Sequence, residues 1–312
     1  MTRPPELREQ WTISCLVPDL PQTVDIIPYL QEIDKNRWYS NFGPLQRQFE
    51  NVLSGFLAEK YGHQLRVVTL SSATAVLELT LQAMKLRQGA RILLPSLTFP
   101  ATILAVLRCG YTPVLADVDA DSWALHADYA LKAAQTTAID AVLPVAAFGY
   151  PLPIASWESF QAESGIPVLI DAAGALGVQT ISAEVPVIFS LHATKPLGIG
   201  EGGALVTSNE GLADDVRQLS NFGFGAGEIE QAGTNAKLSE YHAAVGLVQM
   251  KRAEALLQKR ASILQHYKKR LPDNLFNAAD KGLLPPAVLP LHLQGKAREF
   301  AANLTKQKIE TR

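Results

Sequence analysis

Cysteine is scarce. Cys15 and Cys109 are the two in the chain, too few for a disulfide framework and without the paired spacing of a zinc site, so a reducing compartment is expected. Long apolar runs are missing as well: no stretch approaches the roughly 20 residues a membrane helix needs, and no membrane partner is expected. The start, MTRPPELREQWTISCL, lacks the basic, apolar, small-residue order of a signal peptide. Cytoplasmic is the expected location. Charge of one sign is also lacking: 28 Lys and Arg stand against 30 Asp and Glu, for a net charge of -2, with no long basic run. That excludes the usual electrostatic footprint of a nucleic-acid or anionic-membrane surface and leaves small molecules as the expected partners.

What is present is apolar mass, 47% of 312 residues, enough for one large or two moderate cores. From Val67 to Thr207 short β-rich runs alternate with amphipathic windows, the pattern of a mostly parallel sheet covered by helices on both faces. Strands are predicted at Arg66 to Leu70, Arg91 to Leu94, Pro113 to Ala116, Ala141 to Ala146, Pro167 to Ile170, Val187 to Leu191 and Ala204 to Thr207. A helix is predicted from Thr74 to Leu86, with Val76, Leu77, Leu81 and Met84 on one face. A second follows the repeat of Phe99, Ile103, Val106 and Leu107. Before the sheet, Pro44 to Tyr61 forms a helix with Pro44 at its start and Leu45, Phe49, Val52, Leu53, Phe56 and Leu57 on one stripe. After it, Ser239 to about Leu271 reads as one long or two broken helices. A weak strand (Ala287 to Leu293) and a helix (Lys296 to Gln307) close the chain. The expected division is an N-terminal arm over 1–43, a large domain over 44–250 and a small C-terminal domain over 251–312.

Gly198 to Gly203, GIGEGG, matches G-x-G-x-x-G in letters, but a dinucleotide fingerprint must follow a strand and open a helix. Here the loop precedes the strand ALVTS, so no helix N-terminus follows to hold a pyrophosphate. A better anion cradle is Ser71-Ser72-Ala73-Thr74-Ala75, which follows the strand RVVTL and opens a helix, although an ordinary Ser or Thr cap explains it as well. Asp171 ends the strand PVLI among small neighbours, DAAGALG, and Lys195 follows PVIFSLHAT at another strand's carboxyl end. A structural Asp171 to Lys195 salt bridge is one explanation. The other is pyridoxal phosphate chemistry, which needs a lysine to bond the cofactor's aldehyde, an acid to keep its pyridine nitrogen protonated, and a phosphate site.

Taken together, WYSNFGPLQRQFE, SSATAVLELTLQA, PSLTFPATILAVLRCGYTPVLADVD, DAAGALG, SLHATKPLGIGEGGALVTS and NAKLSEYHAAVGLVQM resemble, collinearly from Trp38 to Met250, the DegT/StrS sugar aminotransferases, fold-type I pyridoxal phosphate enzymes. The resemblance implies an aspartate-aminotransferase-like α/β fold: a mostly parallel seven-stranded sheet sandwiched by helices, plus a small C-terminal α/β domain. It further implies that Lys195 bonds the cofactor and Asp171 faces the pyridine nitrogen. Ala73 and Thr74 contact the phosphate through backbone N–H and hydroxyl, with Ser190 beside them. Phe99 stacks on the ring and Ala173 packs on its other face. Asn235 reaches the phosphate of the neighbouring subunit, which makes the homodimer part of the active site. By periodicity alone Phe99 would be a core residue. His192 lies in the motif, where a packed, hydrogen-bonded histidine is at least as good a reading as a catalytic one; His242 receives no role.

The resemblance implies transamination of a nucleotide-linked keto-deoxysugar with glutamate as donor. A dehydratase of the same family is the nearest alternative, but its best-known members carry histidine where Lys195 stands. A cysteine desulfurase needs a cysteine on a mobile loop, and Cys109 falls on a predicted helix. A cofactor-binding regulatory protein without turnover is the alternative from another class. Two departures feed it: Gly174 stands where the family usually has Gln or His, which could leave room for a water, and the tail KQKIETR resembles the point where relatives enter the rest of their small domain.

Overall fold

The computed structural model describes residues 11–62, 64–277 and 284–311. Helix α1 (Thr23–Asn36) precedes α2 (Pro44–Tyr61), after which strands and helices alternate: β1 (Arg66–Leu70), α3 (Ala73–Ala83), β2 (Arg91–Pro95), α4 (Pro100–Arg108), β3 (Thr112–Ala116), α5 (Ala127–Thr136), β4 (Ala141–Val142), α6 (Ile154–Ser164), β5 (Ile170–Asp171), β6 (Val187–Ser190), β7 (Gly203–Thr207) and α7 (Glu210–Leu219). Three helices follow, α8 (Glu240–Lys251), α9 (Ala253–Lys268) and α10 (Ala297–Lys306). Among the described residues no helix is long and apolar enough to cross a membrane.

The strands pair in the orders β1-β7-β6-β5 and β3-β2-β4. Parallel bridges Val142 to Val168 and Val145 to Asp171 connect β4 to β5 and join the two pieces. Among the described strands only β7 runs against its neighbours. The carboxyl ends of β1 to β6 therefore share one edge, the edge at which open α/β sheets bind ligands. Strands β1, β2, β6 and β7 are buried almost throughout, as expected of a sheet covered on both faces.

Pro44 starts α2, where a missing N–H costs nothing. Leu45, Phe49, Leu53 and Leu57 are buried along one face, whereas Val52, expected on the same stripe, is exposed. The N-terminus of α2 has no side-chain cap from its own segment. Instead, the buried Glu240 carboxylate at the start of α8 accepts the Leu45 N–H (2.9 Å) and the Gln46 N–H (2.8 Å). Glu50 ties the same helix to the sheet, accepting from the Thr69 N–H and hydroxyl (2.8 and 2.9 Å) and from Arg217 (2.7 Å). Both carboxylates are therefore buried against donors, as a desolvated anion requires.

The region from Ser239 forms two helices, α8 and α9, separated at Arg252. The strand expected from Ala287 to Leu293 is a correction: this segment is irregular. Its N–H groups go elsewhere, Val288 to the Phe148 carbonyl and His292 to the Leu275 carbonyl, and Pro290 within it offers no N–H to a ladder.

Replacing Glu240 with Ala leaves two buried N–H groups unpaired at the start of α2. We expect a loss of about 3 kcal/mol in denaturant unfolding, whereas a loss near zero would show that water satisfies them.

Candidate active site

Asp171 ends β5 and is 4% exposed. Its Oδ2 accepts the Thr102 hydroxyl at 2.7 Å, and Thr102 in turn accepts the Thr98 hydroxyl at 2.7 Å. Its Oδ1 accepts the Ala173 N–H at 3.1 Å. Burial pushes the carboxyl group's pKa up; Thr102, the Ala173 N–H and the charge of Lys195 pull against that rise. Sequence reasoning missed Thr102. It is fully buried on the first turn of α4, and its only signal is a hydroxyl on an otherwise apolar inner face, 69 residues from its partner.

Lys195 sits on the turn after β6, its N–H donated to the His192 carbonyl (2.9 Å) and its own carbonyl accepting from Gly198 (3.1 Å). Burial lowers its pKa and the Asp171 charge opposes that. Among the described residues no ion pair within 4.0 Å joins Lys195 to Asp171, so the structural salt bridge is absent. The glycine loop runs straight into β7, which removes the dinucleotide reading of GIGEGG.

The cradle lies beside them. Ser72 caps α3, its hydroxyl accepting the Ala75 N–H at 3.1 Å. The N–H groups of Ala73 and Thr74 have no partner among the described residues and stand at the positive end of the helix dipole. Across the sheet, Leu70, Gly203 and Ser190 are register neighbours. A Cβ on Gly203 would lie 2.4 Å from the Ala73 nitrogen, so only glycine lets β7 begin against the cradle. Ser190 is nearly buried, and its hydroxyl accepts from the His192 N–H at 3.3 Å.

Phe99 is 77% exposed at the N-cap of α4, three residues from Thr102, so it is not the core residue that periodicity suggests. Ala173 is bonded on both sides: its N–H goes to Asp171 and its carbonyl accepts from Ser190 at 3.2 Å. Asn235 is exposed, but its chain neighbour Ala236 accepts the Ser71 N–H at 2.7 Å, which brings the segment to the cradle. His192 pairs through Nδ1 with the Thr194 hydroxyl (2.9 Å) and lies 3.7 Å from Glu201. His242 bonds Ser239 on α8 (2.8 Å), and burial lowers its pKa against the pull of Glu201. Cys109 follows α4; burial, with the Glu78 charge added, pushes its thiol up to about 11. That thiol is not a nucleophile near neutral pH.

Gly174 does not open a water site. A Cβ there would meet the Ala287 Cβ and the Gly149 Cα, each at 3.1 Å, so the space is filled by the loop after β4 and by the C-terminal segment.

A buried acid and a lysine that feel each other's charge without an ion pair, an exposed aromatic and an unpartnered helix N-terminus fit the requirements of pyridoxal phosphate: Asp171 would face the ring nitrogen, Lys195 the aldehyde, and Ala73, Thr74 and Ser190 the phosphate. Comparison with known proteins agrees. Protein Rv3402c of Mycobacterium tuberculosis H37Rv is 34% identical over 271 residues, 82% of this chain. The chain spans 64% of the length of that relative and of its Mycobacterium bovis counterpart, Protein Mb3436c. A structure from Bacillus cereus ATCC 10987, assigned as a PLP-dependent aminotransferase, superposes with a TM-score of 0.86 at 30% identity, covering 96% of this chain and 85% of that one. DesI, solved in the presence of its TDP-sugar product, gives 0.84 at 30% identity, covering 96% and 78%. Residues 22–312 match the family directly, and the chain belongs to the DegT/DnrJ/EryC1/StrS aminotransferase family.

Proposed function

We propose that this protein is a pyridoxal phosphate-dependent aminotransferase that carries an amino group from glutamate to a nucleotide-linked keto-deoxysugar, giving an amino sugar. The observation that carries the reading is the buried Asp171 carboxylate, held by Thr102 and Ala173 at the sheet edge it shares with Lys195 and the start of α3. DesI, held with its TDP-sugar product, supports the sugar class. When bound, the cofactor would supply an electron sink for the carbanion left when the donor's α-proton is removed, and would carry the amino group from donor to keto acceptor.

The chain's own residues do the rest. Asp171, ionised opposite the ring, would keep a proton on the ring nitrogen; Thr102, the Ala173 N–H and the charge of Lys195 oppose the rise in its pKa that burial imposes, without cancelling it. Lys195, with its pKa lowered by burial, has a larger neutral fraction than an exposed lysine, and as a free amine it moves the proton between carbon atoms. The Ala73 and Thr74 N–H groups and the Ser190 hydroxyl would hold the phosphate, and Phe99 would stack on the ring. In the homodimer we propose, Asn235 of each protomer reaches the phosphate held by its partner.

Thr102→Val removes a hydrogen bond to a buried anion, a loss of about 2 kcal/mol, or roughly 30-fold in turnover; an unchanged rate would show that Thr102 does not support Asp171. Glutamate added to the cofactor-loaded protein should convert its visible absorbance to the pyridoxamine form, and Lys195→Ala should abolish both this and borohydride fixation of the cofactor. A spectrum that glutamate never changes rules out this donor, and fixation at the same peptide in the variant rules out the lysine. Mixing inactive Lys195→Ala and Asn235→Ala subunits should restore part of the activity through hybrid dimers. No recovery despite verified subunit exchange would count against a shared site.

A further inference from the structure

The filled space at Gly174 links the site to the far end of the chain. Arg260, half-buried on α9, donates from one guanidinium nitrogen to the Pro286 carbonyl (2.9 Å) and the Ala287 carbonyl (2.5 Å). The next residue, Val288, donates its N–H to the Phe148 carbonyl at 3.1 Å. Phe148 has φ 57° and ψ 1°, a left-handed conformation that a bulky residue adopts only where its surroundings impose it. Gly149 has φ 92°, and a Cβ there would lie 2.6 Å from both the Ala287 nitrogen and the Gly174 carbonyl oxygen. Residues 286–288 are thus pressed onto two backbone segments, 148–149 and 174, with no room for a side chain between them.

Those two segments adjoin partners of Asp171. The Ala146 N–H donates to the Asp171 carbonyl at 2.8 Å, and Gly149 N–H bonds back to Ala146 at 2.9 Å. On the other side the Ala173 N–H, one residue before Gly174, donates to Asp171 Oδ1. We infer that Arg260 is a positioning residue for the cofactor site: it holds residues 286–288 against Gly149 and Gly174, and this packing fixes the backbone that orients Asp171. Glycine at 174 is then matched to alanine at 287, one small residue making room for the other.

The inference rests on the cofactor reading and not on the identity of the sugar. Hydrogen exchange at Ala173 and Gly149 in the full chain, with and without pyridoxal phosphate, tests the packing directly. The pH midpoint of the bound cofactor's visible absorbance tests its effect on Asp171. Arg260→Met and Gly174→Ala should each speed exchange at Ala173 by about tenfold or more. They should also move the midpoint upward by roughly one pH unit, because a less readily ionised Asp171 leaves less positive charge on the ring. Arg260→Lys should recover part of both effects, and adding Ala287→Gly to Gly174→Ala should recover part of the second variant's. If Arg260→Met does not fold, the Gly174 and Ala287 pair decides. Folded variants with lower melting temperatures but parental exchange and midpoint would overturn the inference and leave Arg260 a structural residue. Failure of the parent chain to bind pyridoxal phosphate would count against the cofactor reading alone, since exchange in the cofactor-free chain still decides the packing.

Discussion

A carboxylate removed from water must be compensated locally or it will take up a proton, and Asp171 is almost completely removed from water. Its compensation comes from three places: a hydroxyl on α4, the N–H of Ala173 two residues on, and the positive charge of Lys195 beyond β6. Each of these elements has a further duty. The first turn of α4 also presents Phe99 to solvent, the segment after Asp171 also bonds Ser190, and the turn after β6 also leads into the glycine loop. The site therefore cannot be loosened at one corner without changing the ionisation at its centre.

The sheet makes this possible because six of its strands point the same way. Their carboxyl ends collect on one edge residues separated by more than a hundred positions in the chain, from Ala73 to Lys195. The antiparallel β7 completes the cradle with Gly203, which has no side chain to hold the Ala73 nitrogen away. Away from that edge, stability rests on buried anions of another kind. Glu240 and Glu50 bind α2 to α8 and to β1 through backbone N–H groups and Arg217, so the helical layer is registered on the sheet by polar contacts within an apolar interface.

Much was legible in the residues because it is local. Periodicity located α2, α3 and α4 to within a few residues, and a proline or a serine marked where they begin. The β-rich runs located the strands, though β4 and β5 pair over fewer residues than their composition suggests. Where the local signal misled, a partner was the cause. Ala287 to Leu293 is apolar enough for a strand, but its N–H groups found carbonyls at Phe148 and Leu275 rather than a neighbouring ladder. Phe99 follows a helical repeat, yet it caps the helix and faces solvent.

By itself the amino-acid order determined the α/β alternation, the small residues around Asp171, the lysine after β6 and the motifs that resemble a family, since propensity, spacing and residue chemistry act over a few neighbouring positions. The tertiary structure alone decided that Thr102 supports Asp171, that Lys195 makes no ion pair with it, and that the space beside Gly174 is filled by Gly149 and Ala287. Those outcomes depend on groups from separate elements, 69 positions apart for Thr102 and Asp171, where distance is set by how the sheet closes and how the chain end packs, and no local preference encodes it.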